Sequence, residues 1–151
     1  MTLLAFKNTS SETLVRGMDF PTVLLPSDKI KDSEIAITKI QTSEKIICFG
    51  QKPQIKNKIC LELVARDNDA LLPTNFKIET LKTKLKANNI TYSESQNPGT
   101  SYCNLVYWNA LNYIRDNKCN CKFLFIHIPF EQNIGNISEL RKKLNSILKS
   151  L

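Results

Sequence analysis

Glycine is scarce in this chain of 151 residues. Its four glycines, Gly17, Gly50, Gly99 and Gly135, lie far apart, whereas the Walker phosphate loop and the dinucleotide-binding fingerprint both need clustered glycines. The sequence therefore excludes these two glycine-based nucleotide sites. Only one histidine is present, so any chemistry that needs an imidazole depends on a single residue.

Long apolar runs are also missing, and none approaches the length of a membrane-spanning helix. The first residues, Met1–Ser11, lack the charged-then-apolar pattern of an export signal. The number of cysteines is odd, which favours free thiols in a reducing compartment over a disulfide framework; they are Cys48, Cys60, Cys103, Cys119 and Cys121. We therefore predict a cytoplasmic protein that has no membrane partner.

Lysine and arginine outnumber aspartate and glutamate by 21 to 14, which gives a net charge of +7. Such an excess can indicate a nucleic-acid partner. Here most of the basic residues are lysines scattered along the chain, which favours a solvated surface. We predict no nucleic-acid partner. A nucleic-acid-binding module stays as a third hypothesis, which a steep loss of binding with salt would support.

The composition, 42% hydrophobic and 23% charged residues, is typical of one globular domain. Strand-like apolar runs alternate with amphipathic segments. The predicted strands are Thr2–Phe6, Thr22–Leu25, Lys45–Phe49, Ile59–Val64, Thr91–Ser95 and Lys122–His127. The predicted helices are Ser33–Gln41, Phe76–Asn88, Thr100–Asn117 and Ser138–Ser150. This alternation predicts an α/β fold with a largely parallel sheet covered on both faces, and functional sites at the carboxyl ends of its strands.

Cys103 lies close to the predicted start of a helix. Pro98-Gly99 ends the preceding strand, and Thr100 is a suitable N-cap. The free backbone N–H groups and the positive end of the helix dipole favour a thiolate there, and the same N–H groups could hold an oxyanion. The alternative is a small buried apolar side chain, and position alone leaves both interpretations open.

His127 ends the apolar run Phe123–Ile126 and precedes Ile128-Pro129, where the proline stops the strand. It therefore falls at the edge of the sheet where sites form. A lone histidine is more often a surface residue or a hydrogen-bonded core residue. If the chain performs thiol chemistry with an imidazole base, however, His127 is the only candidate.

Glu62 belongs to the predicted strand Ile59–Val64, where strict alternation puts it on the same face as Cys60. A carboxylate in so apolar a strand is costly to bury without a partner. A carboxylate that orients the base is the usual third member of a Cys-His site. An exposed glutamate on an edge strand is the alternative, and Asp67 and Asp69 compete for the orienting role.

A metal site is the competing use of cysteine and histidine. The Cys119-x-Cys121 pair is one residue tighter than the usual zinc knuckle, and neither a second pair nor a second histidine accompanies it. We predict no metal and interpret the pair as flanking a helix-to-strand turn.

Three blocks carry a resemblance to a known family. They are Ser95–Asn104 followed by Tyr107, then Phe125–Phe130 with its His-Ile-Pro, and Glu62–Ala65 followed by Asp69–Pro73. Weaker similarities are Gly50-Gln51 and Asn8–Ser10. With these blocks in the order and at the spacing that they have along the chain, the sequence resembles pyroglutamyl peptidase I (pyrrolidone carboxyl peptidase), a family of cysteine exopeptidases.

The resemblance implies one domain over residues 1–151, folded as a three-layer α/β/α sandwich around a mixed sheet. It implies hydrolysis of an N-terminal pyroglutamyl residue from a small peptide or amide through a thioester, without cofactor. Cys103 would be the nucleophile, His127 the base and Glu62 the residue that orients it. The substrate-binding residues that it implies are Phe6, Asn8, Gln51, Leu72 and Tyr102.

The chain departs from the family in the regions that recognise substrate. It is shorter than typical members. The aromatic N-terminal loop is reduced to Ala5-Phe6-Lys7, Leu71 replaces an arginine, and the segment between Pro73 and Phe76 is cut down. The alternative function is therefore a silent or repurposed relative that binds a ligand or partner, and a homo-oligomer is compatible with either function.

Overall fold

Eight strands are present in the computed structural model, which describes residues 1–151. They are β1 (Thr2–Phe6), β2 (Thr22–Leu25), β3 (Lys45–Gln51), β4 (Ile59–Glu62), β5 (Val64–Asp67), β6 (Ala70–Pro73), β7 (Tyr92–Ser95) and β8 (Lys122–Ile128). Six of them form one sheet in the order β2-β1-β3-β8-β4-β7. Every neighbouring pair is parallel except β4 and β8, which are antiparallel. The predicted mostly parallel mixed sheet is confirmed.

Five α-helices cover the two faces of the sheet, as predicted for a three-layer sandwich. They are α1 (Ser10–Val15), α2 (Lys31–Ile40), α3 (Ile78–Ala87), α4 (Tyr102–Asp116) and α5 (Ile137–Lys149). Side chains of α1, α3 and α5 belong to one hydrophobic cluster, and those of α2 and α4 to the other. None of these helices has both the length and the hydropathy that crossing a membrane requires.

The central strands β1, β3 and β8 are apolar on both faces because helices cover both faces of the sheet. Alternate residues enter opposite clusters: Leu3 and Ile47 pack under α1 and α5, whereas Leu4 and Cys48 pack under α2 and α4. This alternation decides which face each functional side chain occupies.

Helix α4 is held against β8 by residues at helical spacing, among them Val106, Tyr107 and Ala110. The fully buried Tyr107 ring lies 5.9 Å from the ring of Phe123 and 5.7 Å from that of Phe125. This aromatic packing fixes where the first turn of α4 meets the sheet.

The structure corrects several predicted elements. The predicted strand Ile59–Val64 is interrupted at Leu63, and β5 and β6 form an unpredicted antiparallel hairpin whose turn has Asn68 at φ 50°. The short helix α1 was also missed; Thr9 caps it by accepting from the backbone N–H of Ser11. Helix ends shift too, since α4 has its N-cap at Ser101 rather than Thr100.

Candidate active site

A buried carboxylate–imidazole pair lies on the α4 face of the sheet. Nδ1 of His127 is 2.7 Å from Oε1 of Glu62, and the two residues are 4% and 0% exposed. The strand register brings them together, since Cys60 pairs with His127 and Glu62 with Phe125 across the antiparallel β4–β8 pair. Strand β4 lies between β8 and β7, so the alternative of an exposed edge-strand glutamate is wrong.

Two further groups contact the same oxygen of Glu62. Lys52 Nζ donates to Oε1 at 2.9 Å, and Cys60 Sγ lies 3.5 Å from it. Oε2 is buried and has no hydrogen-bond partner. Ser95 is the register neighbour of Glu62 on β7, and its hydroxyl hydrogen-bonds with the Asn97 carbonyl.

Glu62 remains ionised despite its burial. Burial by itself would raise the pKa of this carboxyl, but the hydrogen bonds with His127 and Lys52 help to outweigh that cost and hold its pKa at about 2. A permanent carboxylate beside Nδ1 favours the tautomer that carries the proton on Nδ1, which leaves Nε2 free to accept one. Nothing in the residue pattern singles out Lys52, whose only signal is its position directly after Gly50-Gln51.

Cys103 lies on helix α4, over the face of the sheet that carries His127 and Glu62. It is the second residue of α4, and a Cβ built on Gly50 would lie 2.8 Å from its Sγ. Gly50 is paired with His127 in the β3–β8 register, so the thiol packs on the strand position beside the histidine. No hydrogen bond joins Sγ to the imidazole in this structure.

The thiol of Cys103 is protonated at neutral pH. Its pKa is raised to about 11, chiefly by burial and to a smaller extent by the charges of Glu62 and Asp32, although a hydrogen bond with Ser101 lowers it. The expectation that the start of the helix stabilises a thiolate is therefore wrong for the resting protein, because loss of solvation outweighs the helix dipole.

Asn104, the next residue of α4, ties the helix to the β5–β6 hairpin. Its side-chain amide accepts from the backbone N–H of Arg66 at 2.9 Å and donates to the Arg66 carbonyl at 2.7 Å. This two-point contact fixes the hairpin beside Cys103. Sequence reasoning missed the contact because the hairpin itself was not predicted.

A relative in Caldanaerobacter subterraneus subsp. tengcongensis, pyrrolidone-carboxylate peptidase 1, is 42% identical over 91% of this chain and 80% of its own length. The chain belongs to the pyrrolidone-carboxylate peptidase family. The family's enzyme from Alkaliphilus oremlandii is 25% identical over 91% of this chain and 76% of its own. Comparison with protein-family models gives no match.

Solved structures of pyrrolidone-carboxylate peptidases have the same fold as this chain. Pyroglutamyl peptidase I from Bacillus amyloliquefaciens superposes with a TM-score of 0.85, at 19% identity over 97% of this chain and 90% of that one. Pyrrolidone carboxyl peptidase from Thermococcus litoralis superposes with a TM-score of 0.78, at 17% identity over 98% and 90%.

The five residues that the family resemblance suggested for substrate binding are not all in one cleft. Asn8 and Gln51 line a groove beside α1, whereas Tyr102, 44% exposed, lines a different cleft at the start of α4. Phe6 is buried with its ring 6.4 Å from that of Phe125, and Leu72 is partly buried in the same cluster.

The rival residues do not contact the histidine. Asp67 and Asp69 lie at the turn of the β5–β6 hairpin, and neither bonds to His127, whose partner is Glu62. No group of three or more His, Cys, Asp and Glu side chains is arranged to hold a metal ion. Cys119 and Cys121 lie between α4 and β8, as predicted.

Replacing Gly50 by alanine should displace the thiol. The new methyl group would lie 2.8 Å from Cys103 Sγ and 2.9 Å from the Phe125 ring, so one of them must move. We expect about 1–3 kcal/mol loss of stability and a slower alkylation of Cys103. Urea unfolding and iodoacetamide labelling measure these effects. Gly135→Ala is the control, because its nearest neighbour would be 3.6 Å away; equal effects of the two variants would contradict the prediction.

Proposed function

We propose that this protein is a cysteine peptidase that removes an N-terminal pyroglutamyl residue from peptides or small amides. Family membership supports the substrate class. The observation that carries the proposal is the buried His127–Glu62 pair at 2.7 Å, on the face of the sheet against which the Cys103 thiol packs. A single domain over residues 1–151 would perform this reaction without a metal or an organic cofactor.

The first half of the reaction forms a thioester. Nε2 of His127 takes the proton from Cys103 Sγ as the sulfur attacks the pyroglutamyl carbonyl carbon. The protonated imidazole, held through Nδ1 by Glu62, then gives this proton to the leaving nitrogen as the amide C–N bond breaks. With the thiol pKa at about 11, the nucleophile forms only as the base acts, in place of a standing thiolate–imidazolium pair.

The second half releases the product. Water attacks the thioester carbon, His127 Nε2 accepts a proton from that water, and the C–S bond breaks to give pyroglutamate and the free thiol. In both halves an oxyanion develops on the carbonyl oxygen. Backbone N–H groups in the first turn of α4 are free of intrahelical partners, and Ser101 makes no side-chain cap bond there, so they are the donors that would stabilise it.

Incubation of the purified protein with a pyroglutamyl-coumarin amide tests the proposal directly. We expect release of the fluorophore and no release from the corresponding prolyl amide, which lacks the lactam carbonyl. Absence of release from the pyroglutamyl amide would refute the activity.

The second candidate function is the binding of a ligand without catalytic turnover. The observation that favours it is the protonated Cys103 thiol without a hydrogen bond to His127. Hydrolysis of the pyroglutamyl amide would refute this candidate, whereas tight binding of pyroglutamate without turnover would support it.

The pH dependence of alkylation should reflect the raised pKa of Cys103. Because this pKa is about 11, the fraction of thiolate should rise about tenfold for each pH unit between pH 7 and 9.5 without reaching a plateau. Iodoacetamide labelling, followed at Cys103 by mass spectrometry, measures the rate. A plateau below pH 8 would indicate a stable thiolate and contradict the protonated resting state.

A further inference from the structure

A polar cleft of about 570 Å³ lies between the start of α4 and the β5–β6 hairpin. Two cationic side chains, Arg66 and Lys29, line it together with Tyr102 and Asn104. Asp67 is the only carboxylate in the lining. We call it the basic cleft.

Neither cation of the basic cleft is neutralised by a carboxylate of the protein. No salt bridge involves Arg66 or Lys29, and Asp67 also forms none. Nε of Arg66 is buried without a hydrogen-bond acceptor. The terminal nitrogens of the Arg66 guanidinium are not among the buried atoms and also form no hydrogen bond within the protein. They are free to pair with an acceptor that comes from outside the chain, and an acceptor that held the guanidinium would offset part of the cost of its unsatisfied buried Nε.

Tyr102 positions the second cation. Lys29 Nζ lies 5.7 Å from the centroid of the Tyr102 ring, within the range of a cation–π contact. The ring is also an exposed apolar surface, so the basic cleft offers both charge and an aromatic wall to a ligand.

The basic cleft is fixed beside the candidate nucleophile. Tyr102 and Asn104 are the two chain neighbours of Cys103, and Asn104 holds both backbone polar groups of Arg66. The basic cleft is therefore lined by the residues on either side of the candidate nucleophile.

We propose that the basic cleft binds a carboxylate on the leaving group of the substrate. This inference rests on the proposed peptidase activity and narrows its substrate class to pyroglutamyl compounds whose leaving amine carries a carboxylate. Guanidinium and ammonium groups pair with carboxylates through charge-assisted hydrogen bonds. The carboxylate can come from the α-carboxyl of a free leaving amino acid or from an acidic side chain in a longer peptide.

Alkylation with a charged and a neutral reagent tests the basic cleft without any turnover. The rate of iodoacetate labelling at Cys103, divided by the rate with iodoacetamide, reports the attraction of an anion and cancels differences in thiolate fraction. We expect Arg66→Gln and Lys29→Met each to lower this ratio, on the order of threefold. Added salt should lower the wild-type ratio as well.

Matched controls separate the cleft from general charge effects. Arg115→Gln removes a cation at the far end of α4, and Lys86→Met removes an exposed lysine of α3; neither should change the ratio. Because Lys29→Met is a surface change, it decides the outcome even if Arg66→Gln does not fold. A ratio that neither cleft variant changes, or that Arg115→Gln lowers equally, would overturn the proposal.

Paired substrates test the consequence for hydrolysis and identify the source of the carboxylate. Pyroglutamyl-alanine against its C-terminal amide reports the α-carboxyl, and pyroglutamyl-glutamate amide against pyroglutamyl-glutamine amide reports the side chain. We expect the acidic member of at least one pair to have the higher kcat/KM, with the preference lost in Arg66→Gln and Lys29→Met. Equal kcat/KM within both pairs would refute the substrate preference. If no pyroglutamyl compound is hydrolysed, the proposed function fails while the alkylation ratio still decides the cleft.

Discussion

Cys103→Ala is expected to lower the hydrolysis of a pyroglutamyl-coumarin amide by roughly a thousandfold or more, because removing the nucleophile of a covalent mechanism leaves only binding and oxyanion stabilisation. The structure offers no substitute thiol at the position that Cys103 Sγ occupies beside Gly50. Cys48 and Cys60 are buried, and burial raises the pKa of both thiols. Initial rates against substrate concentration measure the effect.

Cys119→Ala is the matched control for this experiment. Cys119 is also a free, partly exposed thiol, but it follows the far end of α4, so its removal should leave the rate unchanged. The serine variant, Cys103→Ser, should also be nearly inactive, since an alkoxide is harder to form than a thiolate. Wild-type rates in Cys103→Ala would refute the role of this residue.

Glu62→Gln is expected to have the second largest effect. The uncharged amide no longer favours the proton on Nδ1 of His127 and cannot stabilise the imidazolium that forms when the cysteine is deprotonated. We expect kcat to fall by about a hundredfold to ten-thousandfold, with a smaller change in KM. Glu94→Gln is the control, because Glu94 lies on the adjacent strand β7 and pairs with Lys82 of α3 instead of the histidine. An unchanged kcat in Glu62→Gln would show that the carboxylate does not support the base.

The same carboxylate makes the stability of the fold depend on pH. Its folded-state pKa of about 2 lies below the ordinary value of 4.5, so ionised Glu62 stabilises the protein fully above about pH 4.5. This contribution, roughly 2–3 kcal/mol, is lost as the pH falls toward 2. Urea unfolding at pH 7 and pH 3 should therefore differ less for Glu62→Gln than for the wild type. An identical acid sensitivity of both proteins would contradict the assignment.

The sequence predicted the fold and pointed to Cys103, His127 and Glu62 as candidate catalytic residues, because the signals for both lie in short segments of the chain. Uninterrupted apolar runs marked the central strands, and alternation in the β4 segment correctly put Cys60 and Glu62 on one face. Because His127 is the only histidine in the chain, the sequence left no choice between candidate imidazole bases. The blocks around Cys103, His127 and Glu62 carried the family resemblance, which the relatives then supported.

The sequence failed where the outcome depends on contacts between distant segments. The β5–β6 hairpin was missed because its strands are short and mostly exposed, without the apolar run that marks a buried strand. The basic cleft was missed with it, since Arg66 lies on β5 and Lys29 lies in the loop before α2, far apart in the sequence. Lys52 became visible only as a partner of Glu62 at 2.9 Å.

The amino-acid sequence alone determined that an α/β sandwich forms, and it proposed Cys103, His127 and Glu62 as candidates for its chemistry, because the periodicity and identity of residues can be read directly from the chain. Tertiary structure decided their ionisation. Burial and neighbouring charges, neither of which is encoded at one position, keep Glu62 charged and Cys103 protonated.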